Sequence, residues 1–168
     1  MMKTTIEVTA TFNCSPERAF KTPILGDATQ FLVGYGVVPA VEKFTDDSTW
    51  GKPGGQRIPH SAKNLISKGG EIGIDEVYAR VENEYWKWGI AEFRQWSMGF
   101  TEFLGEMFFS EQGENAVSVR WVYTLYSRSI LAYPFHWLFG KIFWKGQMRL
   151  AIRRMKRYAE SDAAFLYE

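Results

Sequence analysis

The chain of 168 residues has few of the side chains that covalent or metal cross-links require. Cys14 is the only cysteine, so no disulfide can form within the chain and no CxxC metal motif is present. His60 and His136 are the only histidines, and neither has a second ligand at the spacing of a zinc site. The sequence therefore predicts neither a metal site nor a cofactor.

Long hydrophobic runs are also lacking. The most apolar stretch, Ile130–Trp144, is interrupted by Pro134, His136 and Lys141. It falls short of the roughly 20 apolar residues that span a bilayer. The opening residues MMKTTIEVTATF contain no apolar segment of the kind found in signal peptides. We therefore expect a cytoplasmic protein.

Acidic side chains are absent from Asn115–Ala159, which carries nine basic residues. The preceding stretch Glu71–Glu114 has the opposite bias, with ten acidic and three basic residues. This distribution predicts that a terminal helix and the sheet beneath it carry complementary charge. Nucleic-acid binding is disfavoured, because no RRM, helix-turn-helix or zinc-finger pattern accompanies the basic run.

Aromatic residues, by contrast, are abundant at 17% of the chain, with 13 Phe, 8 Tyr and 7 Trp. Each buried ring removes about 150–250 Å² from water, so a ring-rich core explains most of them. Small-molecule pockets are also built largely from apolar and aromatic side chains. A subset of the rings lining a cavity is therefore an equally open interpretation.

Hydrophobic periodicity predicts seven strands and three helices in one domain, residues 1–168. Two short helices follow the first strand; Pro16 starts one that Pro23 stops, and Asp27 caps the other, which runs to about Val33. A long helix runs from near Pro134 to about Ala159. The predicted strands are Thr4–Phe12, Val37–Phe44, Gln56–Ile66, Ile72–Val81, Tyr85–Phe93, Met98–Ser110 and Ala116–Tyr126.

Several short segments resemble those of the START-like or SRPBCC superfamily, which includes pollen-allergen-like, lipid-transfer and polyketide-cyclase-like proteins. Cys14-Ser15-Pro16-Glu17-Arg18-Ala19-Phe20 is the most telling, because it matches the strand-to-helix joint of that fold. The other matching segments are Ile6-Glu7-Val8-Thr9-Ala10, Gly54-Gly55-Gln56-Arg57, Asp75-Glu76-Val77, Tyr85-Trp86-Lys87-Trp88 and Val117-Ser118-Val119-Arg120-Trp121.

The resemblance implies an α+β helix-grip fold. In this fold a curved seven-stranded antiparallel sheet, with two short helices after strand 1, encloses a cavity beneath a long C-terminal helix. It does not imply one reaction. Alternation along the last two strands and the helical spacing indicate which residues face such a cavity. The predicted ligand-binding residues are Trp88, Phe103, Met107, Phe109, Trp121, Tyr123, Phe135 and Leu138.

Three functions follow as hypotheses. The first is carriage or sensing of a hydrophobic small molecule or lipid in a cavity of a few hundred Å³. The second is an enzyme of the polyketide cyclase/dehydratase or hydrolase type in the same cavity; its candidate catalytic residues are Tyr123, Glu76, Arg80 and Glu92. The third is an interaction module that docks through the aromatic start of the terminal helix, either on a membrane surface or on a second copy in a homodimer.

Overall fold

A computed structural model describes residues 1–94 and 98–162. In this part of the chain an antiparallel sheet of eight strands follows the order β1-β8-β7-β6-β5-β3-β2, and β4 pairs with β3 beside that path. The strands are β1 (Met2–Phe12), β2 (Val41–Thr45), β3 (Gln56–Ser61), β4 (Gly70–Glu71), β5 (Ile74–Val81), β6 (Tyr85–Ala91), β7 (Phe100–Gly113) and β8 (Ala116–Ser127). The predicted α+β architecture is confirmed, and the two-residue β4 is the strand that the prediction lacked.

The inner face of the sheet is built by strict alternation along its long central strands. In β8, Trp121, Tyr123 and Leu125 are buried, whereas the intervening Val122 and Thr124 are partly exposed. The register places Trp88 of β6 opposite Gly105 of β7, and Gly105 opposite Tyr123 of β8. Large side chains from β6 and β8 therefore flank a glycine of β7 on one side of the sheet.

Helix α1 (Pro16–Leu25) follows β1 directly, and the hydroxyl of Ser15 caps it by accepting a hydrogen bond from the Arg18 N–H at 3.3 Å. The prediction that Pro23 stops this helix is wrong, because α1 includes Pro23 and ends at Leu25. Pro23 removes the backbone N–H that would bond to the preceding turn, yet the chain remains helical for two more residues. The second short helix is a 3₁₀ turn, Ala28–Gln30, capped by Asp27 as predicted.

The terminal helix consists of three contiguous pieces: α2 (Tyr133–Phe139), a π-helical turn (Gly140–Trp144) and α3 (Lys145–Ala159). Met148 of α3 and His136 of α2 are both buried. In an unbroken α-helix, their separation of twelve positions would make about three and one third turns, leaving them about 120° apart. A π turn contains one residue more than an α-helical turn, so it reduces the angle between the two side chains. Both His136 and Met148 can therefore point into the protein.

His136 anchors the start of this helix to the sheet. Its ring is fully buried and stacks on Phe100, with centroids 4.0 Å apart. Nδ1 lies 2.6 Å from the hydroxyl of Ser127, and Nε2 lies 2.7 Å from the carbonyl oxygen of Met98. The terminal helix then crosses β1 and packs against α1. Within the described residues, no helix has the length and apolar character needed to cross a membrane.

Candidate ligand-binding cavity

A cavity of about 110 Å³ lies inside the protein, bounded by the inner face of the sheet, the segment after α1 and the terminal helix. This volume is smaller than the few hundred Å³ expected from the sequence. The difference has a direct cause, because five indole rings project into the space that a larger cavity would need. These rings belong to Trp50, Trp86, Trp88, Trp121 and Trp144.

The indole rings contact one another in a continuous belt. Trp86 and Trp88 on β6 have ring centroids 6.1 Å apart, and Trp88 lies 6.3 Å from Trp121 on β8. Trp50, from the loop before β3, meets Trp86 edge-on at 5.7 Å. On the helix side, Trp144 meets Tyr123 edge-on at 5.2 Å. The cavity wall is therefore aromatic on the sheet and on the helix.

Gly105 allows this packing. Trp88 packs against it, and a Cβ at position 105 would come within 2.6 Å of the indole ring. Trp88 thereby reaches across β7, and its Nε1 donates a hydrogen bond of 3.1 Å to the hydroxyl of Tyr123 on β8. A glycine in a central strand normally weakens it, and here it makes room for a neighbouring ring.

Arg57 and Asp75 form an ion pair in the wall of the cavity. They are register partners on β3 and β5, and Nε of Arg57 lies 3.1 Å from Oδ2 of Asp75. The guanidinium is also sandwiched between two rings, 3.8 Å from the centroid of Phe44 and 3.6 Å from that of Trp50. Burial raises the pKa of Asp75 and lowers that of Arg57, while the attraction between the two charges opposes both shifts.

Tyr123 contacts the indole rings of Trp88, Trp121 and Trp144. Burial is the main cause that raises the pKa of its hydroxyl, and the negative charge of Asp75 adds to the effect. The phenol is therefore neutral at physiological pH, so its proton is available to a hydrogen-bond acceptor and the group does not act as a base. It accepts a hydrogen bond from Trp88, and no acceptor for its own proton is found among residues 1–94 and 98–162.

Three polar atoms of the cavity lining are buried without a hydrogen-bond partner among the described residues. They are Nε1 of Trp121, Nε1 of Trp144 and Oε1 of Gln147. Gln147 lies on α3 and is 4% exposed. A buried polar group without a partner costs roughly 1–3 kcal/mol. Because all three atoms belong to side chains that line one cavity, they indicate a place where a ligand could supply partners.

Five of the predicted ligand-binding residues line the cavity: Trp88, Phe103, Met107, Trp121 and Tyr123. Phe109 does not; it is buried against Phe20 of α1, with ring centroids 5.0 Å apart. Phe135 and Leu138 also lie outside, because they are 54% and 46% exposed on the outer side of α2. The π turn explains this departure, since it directs His136 and Phe139 inward in their place.

Of the catalytic candidates, the structure places only Tyr123 in the cavity wall. Glu76 accepts a hydrogen bond from Gln56 at 2.8 Å on the outer face, and Glu92 is exposed. Arg80 donates to Glu82 at 2.9 Å and to the carbonyl oxygen of Gly51 at 2.7 Å. These three side chains are not brought together.

The ionisable group that sequence reasoning missed is Asp75. The signal was present in the alternation of β5, because Asp75 is two residues before the fully buried Val77 and so shares its face. Glu76 alternates onto the opposite face, whereas Arg80 returns to the inner side after the bulge between Val77 and Ala79 and pairs in register with Trp86, outside the cavity lining. Within the described chain, no group of three or more His, Cys, Asp or Glu side chains could hold a metal ion.

A family model described as polyketide cyclase/dehydrase and lipid transport matches residues 3–160. No curated protein matches the sequence.

Solved structures share the architecture at low sequence identity. TTHA0849 from Thermus thermophilus matches with a TM-score of 0.69 and 14% identity, covering 95% of this chain and 99% of that one. Norcoclaurine synthase from Thalictrum flavum, in complex with dopamine and hydroxybenzaldehyde, matches with a TM-score of 0.67 and 7% identity over 98% and 90% of the two chains. Ara h 8.0201 matches with a TM-score of 0.65 and 12% identity, covering 94% of this chain and 98% of that one. At these identities the likeness concerns the fold alone.

Proposed function

The chain belongs to the polyketide cyclase/dehydrase and lipid transport family, and from this premise we propose that it binds a hydrophobic small molecule in the cavity between its sheet and terminal helix. One observation carries the proposal: three side chains that line an aromatic-walled cavity each have a buried polar atom without a hydrogen-bond partner in the described part of the chain. A wall made only to fill the core would be more stable with apolar atoms at those positions. A bound molecule that pairs with them would offset their cost.

The ligand-contacting residues in this proposal come from all sides of the cavity. Trp88, Trp121 and Tyr123 supply the sheet side, together with Phe103 and Met107. Trp144 and Gln147 supply the helix side, where Phe135 and Leu138 were expected.

Native mass spectrometry of freshly purified protein tests the proposal. We expect a non-covalent adduct of small mass on the wild type. Met107→Trp should abolish it by filling the cavity, whereas Ser110→Trp, on the exposed side of the same strand, should retain it. An adduct that survives Met107→Trp would place the ligand elsewhere. Bare protein, together with no thermal shift from a panel of single-ring compounds, would count against ligand binding.

A second candidate function is proton-transfer catalysis in the same cavity, and Asp75 is the observation that favours it. A buried carboxyl whose pKa is raised, with a neutral phenol nearby, is the kind of group that enzymes use for general acid–base steps. In this hypothesis Asp75 exchanges the proton and Tyr123 donates a hydrogen bond to a substrate oxygen. Turnover that Asp75→Asn abolishes, while ligand binding survives, would distinguish the enzyme from a carrier.

A further inference from the structure

The unpartnered atoms of the cavity wall specify the polarity of what the cavity holds. An indole N–H can only donate a hydrogen bond, so Trp121 and Trp144 each require an acceptor. Both rings contact Tyr123, at centroid distances of 5.7 and 5.2 Å. The two indoles that lack an acceptor therefore lie in the same part of the cavity wall. The Oε1 atom of Gln147 requires a donor. A complementary ligand therefore has both an acceptor and a donor.

The charge of the cavity wall is balanced. Arg57 and Asp75 are its charged residues, and each is already paired with the other at 3.1 Å. An anionic ligand would have to compete with Asp75 for the guanidinium, and a cationic ligand with Arg57 for the carboxylate. Either exchange would leave a buried charge unpaired, which is strongly unfavourable. The wall therefore favours a neutral ligand.

The volume of the cavity limits the size of the ligand. An apolar protein cavity of about 150 Å³ is known to admit benzene. At about 110 Å³, the cavity in its present form accommodates no more than one ring without movement of its walls.

Resting on the proposed function, we propose that the ligand, or the part of it that enters this cavity, is a neutral molecule of single-ring size with both a hydrogen-bond donor and an acceptor. Phenolic and enolic compounds belong to this class. Gln147 is the residue that selects the donor, because its amide oxygen otherwise has no partner among the described residues.

Three matched probes test the proposal: phenol, its apolar isostere toluene, and the benzoate anion. Their affinities are measured by ligand-observed NMR on the wild type, on Gln147→Met and on the control Gln112→Met, which alters an exposed glutamine at the end of β7. We expect the ratio of phenol affinity to toluene affinity to fall about tenfold in Gln147→Met only. Without ligand, the same variant should unfold about 2–4 °C higher than wild type, because it removes an unpartnered polar atom.

The outcomes separate this proposal from the proposed function. An unchanged phenol-to-toluene ratio would overturn the role of Gln147, and benzoate binding tighter than phenol would overturn the neutral class. In both cases ligand binding itself would stand. No binding of any probe would overturn the single-ring class, and the native mass spectra would then decide separately whether the cavity binds a ligand at all.

A different observation, on the outside of the protein, carries a second inference. The residues Leu131, Phe135, Leu138 and Ile142 are spaced by four, three and four positions and form an outer stripe on α2, its preceding turn and the π turn. They are 91%, 54%, 46% and 48% exposed. Four large apolar side chains in one stripe exceed the scattered exposure that is normal for a protein surface.

The charges near the outer stripe indicate what covers it. Lys145 and Arg149 follow the stripe one and two turns along the helix, and Arg128 precedes it. None of these three forms an ion pair within the described part of the chain. The whole segment 115–159 has no acidic residue. In a twofold dimer through the same stripe, the cations of both copies would meet with no carboxylate from this segment to pair with them.

We propose that the outer stripe docks on an anionic lipid surface. Apolar side chains in a helical stripe enter the boundary between headgroups and acyl chains, and adjacent Lys and Arg side chains meet lipid phosphates and carboxylates. Each basic residue near such a surface contributes about 1 kcal/mol, and salt weakens this contribution.

Sedimentation with vesicles tests the proposal, using phosphatidylcholine alone and phosphatidylcholine mixed with phosphatidylserine. We expect binding to the anionic vesicles that falls with added salt. Phe135→Ser should weaken it about tenfold or more, whereas Leu65→Ser, which changes a fully exposed leucine in a distant loop, should leave it unchanged. Lys145→Gln with Arg149→Gln should weaken anionic binding about tenfold or more, and the control pair Lys63→Gln with Lys68→Gln should not.

Two results would overturn the docking proposal. One is absence of binding to anionic vesicles at low salt. The other is a dimer in analytical ultracentrifugation that Phe135→Ser dissociates, because a second copy would then be the occupant of the outer stripe.

Discussion

At the residue scale, the buried Arg57–Asp75 pair is the most consequential feature of the cavity wall. Each charge is stabilised in the interior chiefly by the other, with the rings of Phe44 and Trp50 flanking the cation. Removing one partner of such a pair leaves an uncompensated buried charge, whereas replacing both with apolar groups is often neutral. The pair therefore makes each of its members difficult to change alone.

We predict that Asp75→Asn lowers the free energy of unfolding by about 3–5 kcal/mol. The double change Arg57→Met with Asp75→Leu should lower it by much less than the sum of the single changes, because it leaves no charge behind. Urea denaturation of the three variants measures this. A cost below about 1 kcal/mol for Asp75→Asn would show that the pair is not buried as described.

The same pair predicts a pH dependence with a definite sign. Burial raises the pKa of Asp75 in the folded protein above its unfolded value, despite the attraction of Arg57. The folded state then binds more protons than the unfolded state in the window above the unfolded pKa, near 3.9. The contribution of Asp75 to stability should therefore decrease as pH rises through this window.

Urea unfolding at pH values from 4 upward, on the wild type and the Arg57→Met/Asp75→Leu variant, isolates this contribution. We expect the stability of the wild type relative to the variant to fall as pH rises. A relative stability that increases with pH would mean that the attraction of Arg57 outweighs burial and that the pKa of Asp75 is lowered.

Gly105 supports a third prediction at this scale. In Gly105→Ala the new methyl group would overlap the ring of Trp88, which must then move into the cavity and release the hydroxyl of Tyr123. We expect a loss of about 1–3 kcal/mol of stability, typical of overpacking, and a shift in tryptophan fluorescence. Ser110→Ala, on the exposed face of the same strand, is the control. Unchanged fluorescence would show that Trp88 does not depend on the missing side chain.

At the element scale, the terminal helix depends on His136 for its attachment to the sheet. His136→Phe would keep the stacking on Phe100 but leave the hydroxyl of Ser127 and the carbonyl of Met98 without their buried partner. Each unpaired group costs about 1–3 kcal/mol. We therefore predict faster amide hydrogen exchange in Tyr133–Phe139 than in the wild type.

The control for this change is His60→Phe, which alters the other histidine, a half-buried residue on β3. Its Nε2 atom forms a hydrogen bond of 2.9 Å with the hydroxyl of Thr45, away from the terminal helix. Exchange in α2 should stay at the wild-type rate. Equal exchange in α2 for wild type and His136→Phe would show that packing on Phe100, rather than the two hydrogen bonds, anchors the helix.

At the scale of the whole molecule, the shared architecture does not by itself determine the function. Structures at 7–14% identity have the same fold, and one of them is an enzyme complexed with dopamine and hydroxybenzaldehyde. The proposal of a ligand therefore rests on the side chains of the cavity in this chain. Those side chains are a belt of indoles, one balanced ion pair and a few polar atoms without partners among the described residues.

A global measurement checks that inference. A ligand that binds only the folded state raises stability by RT ln(1 + [L]/Kd), which is about 2.7 kcal/mol at a hundredfold excess over Kd. We predict that phenol raises the unfolding temperature of the wild type in a concentration-dependent way. Met107→Trp should show no rise, because its cavity is filled. An equal rise in both proteins would place the phenol outside the cavity.

Most of the sheet could be predicted from the sequence, because each strand signals its faces locally. Trp121 and Tyr123 lie on the strand face opposite Arg120, Val122 and Thr124, and the inward direction of that face follows from a period of two. The same rule, applied to β5, would have found Asp75. What local alternation cannot reveal is which residue lies opposite, and so the pairing of Asp75 with Arg57 required the register of two strands distant in sequence.

The sequence by itself determined the order of elements, the inward face of the long strands and the ring-rich nature of the interior, because these depend on neighbours a few positions apart. Tertiary structure alone decided which part of the terminal helix faces the sheet. One π turn redirects Phe135 and Leu138 to the surface and His136 to the core. It also decided how much space remains, since cavity volume is the small difference between a large enclosed space and the rings that fill it.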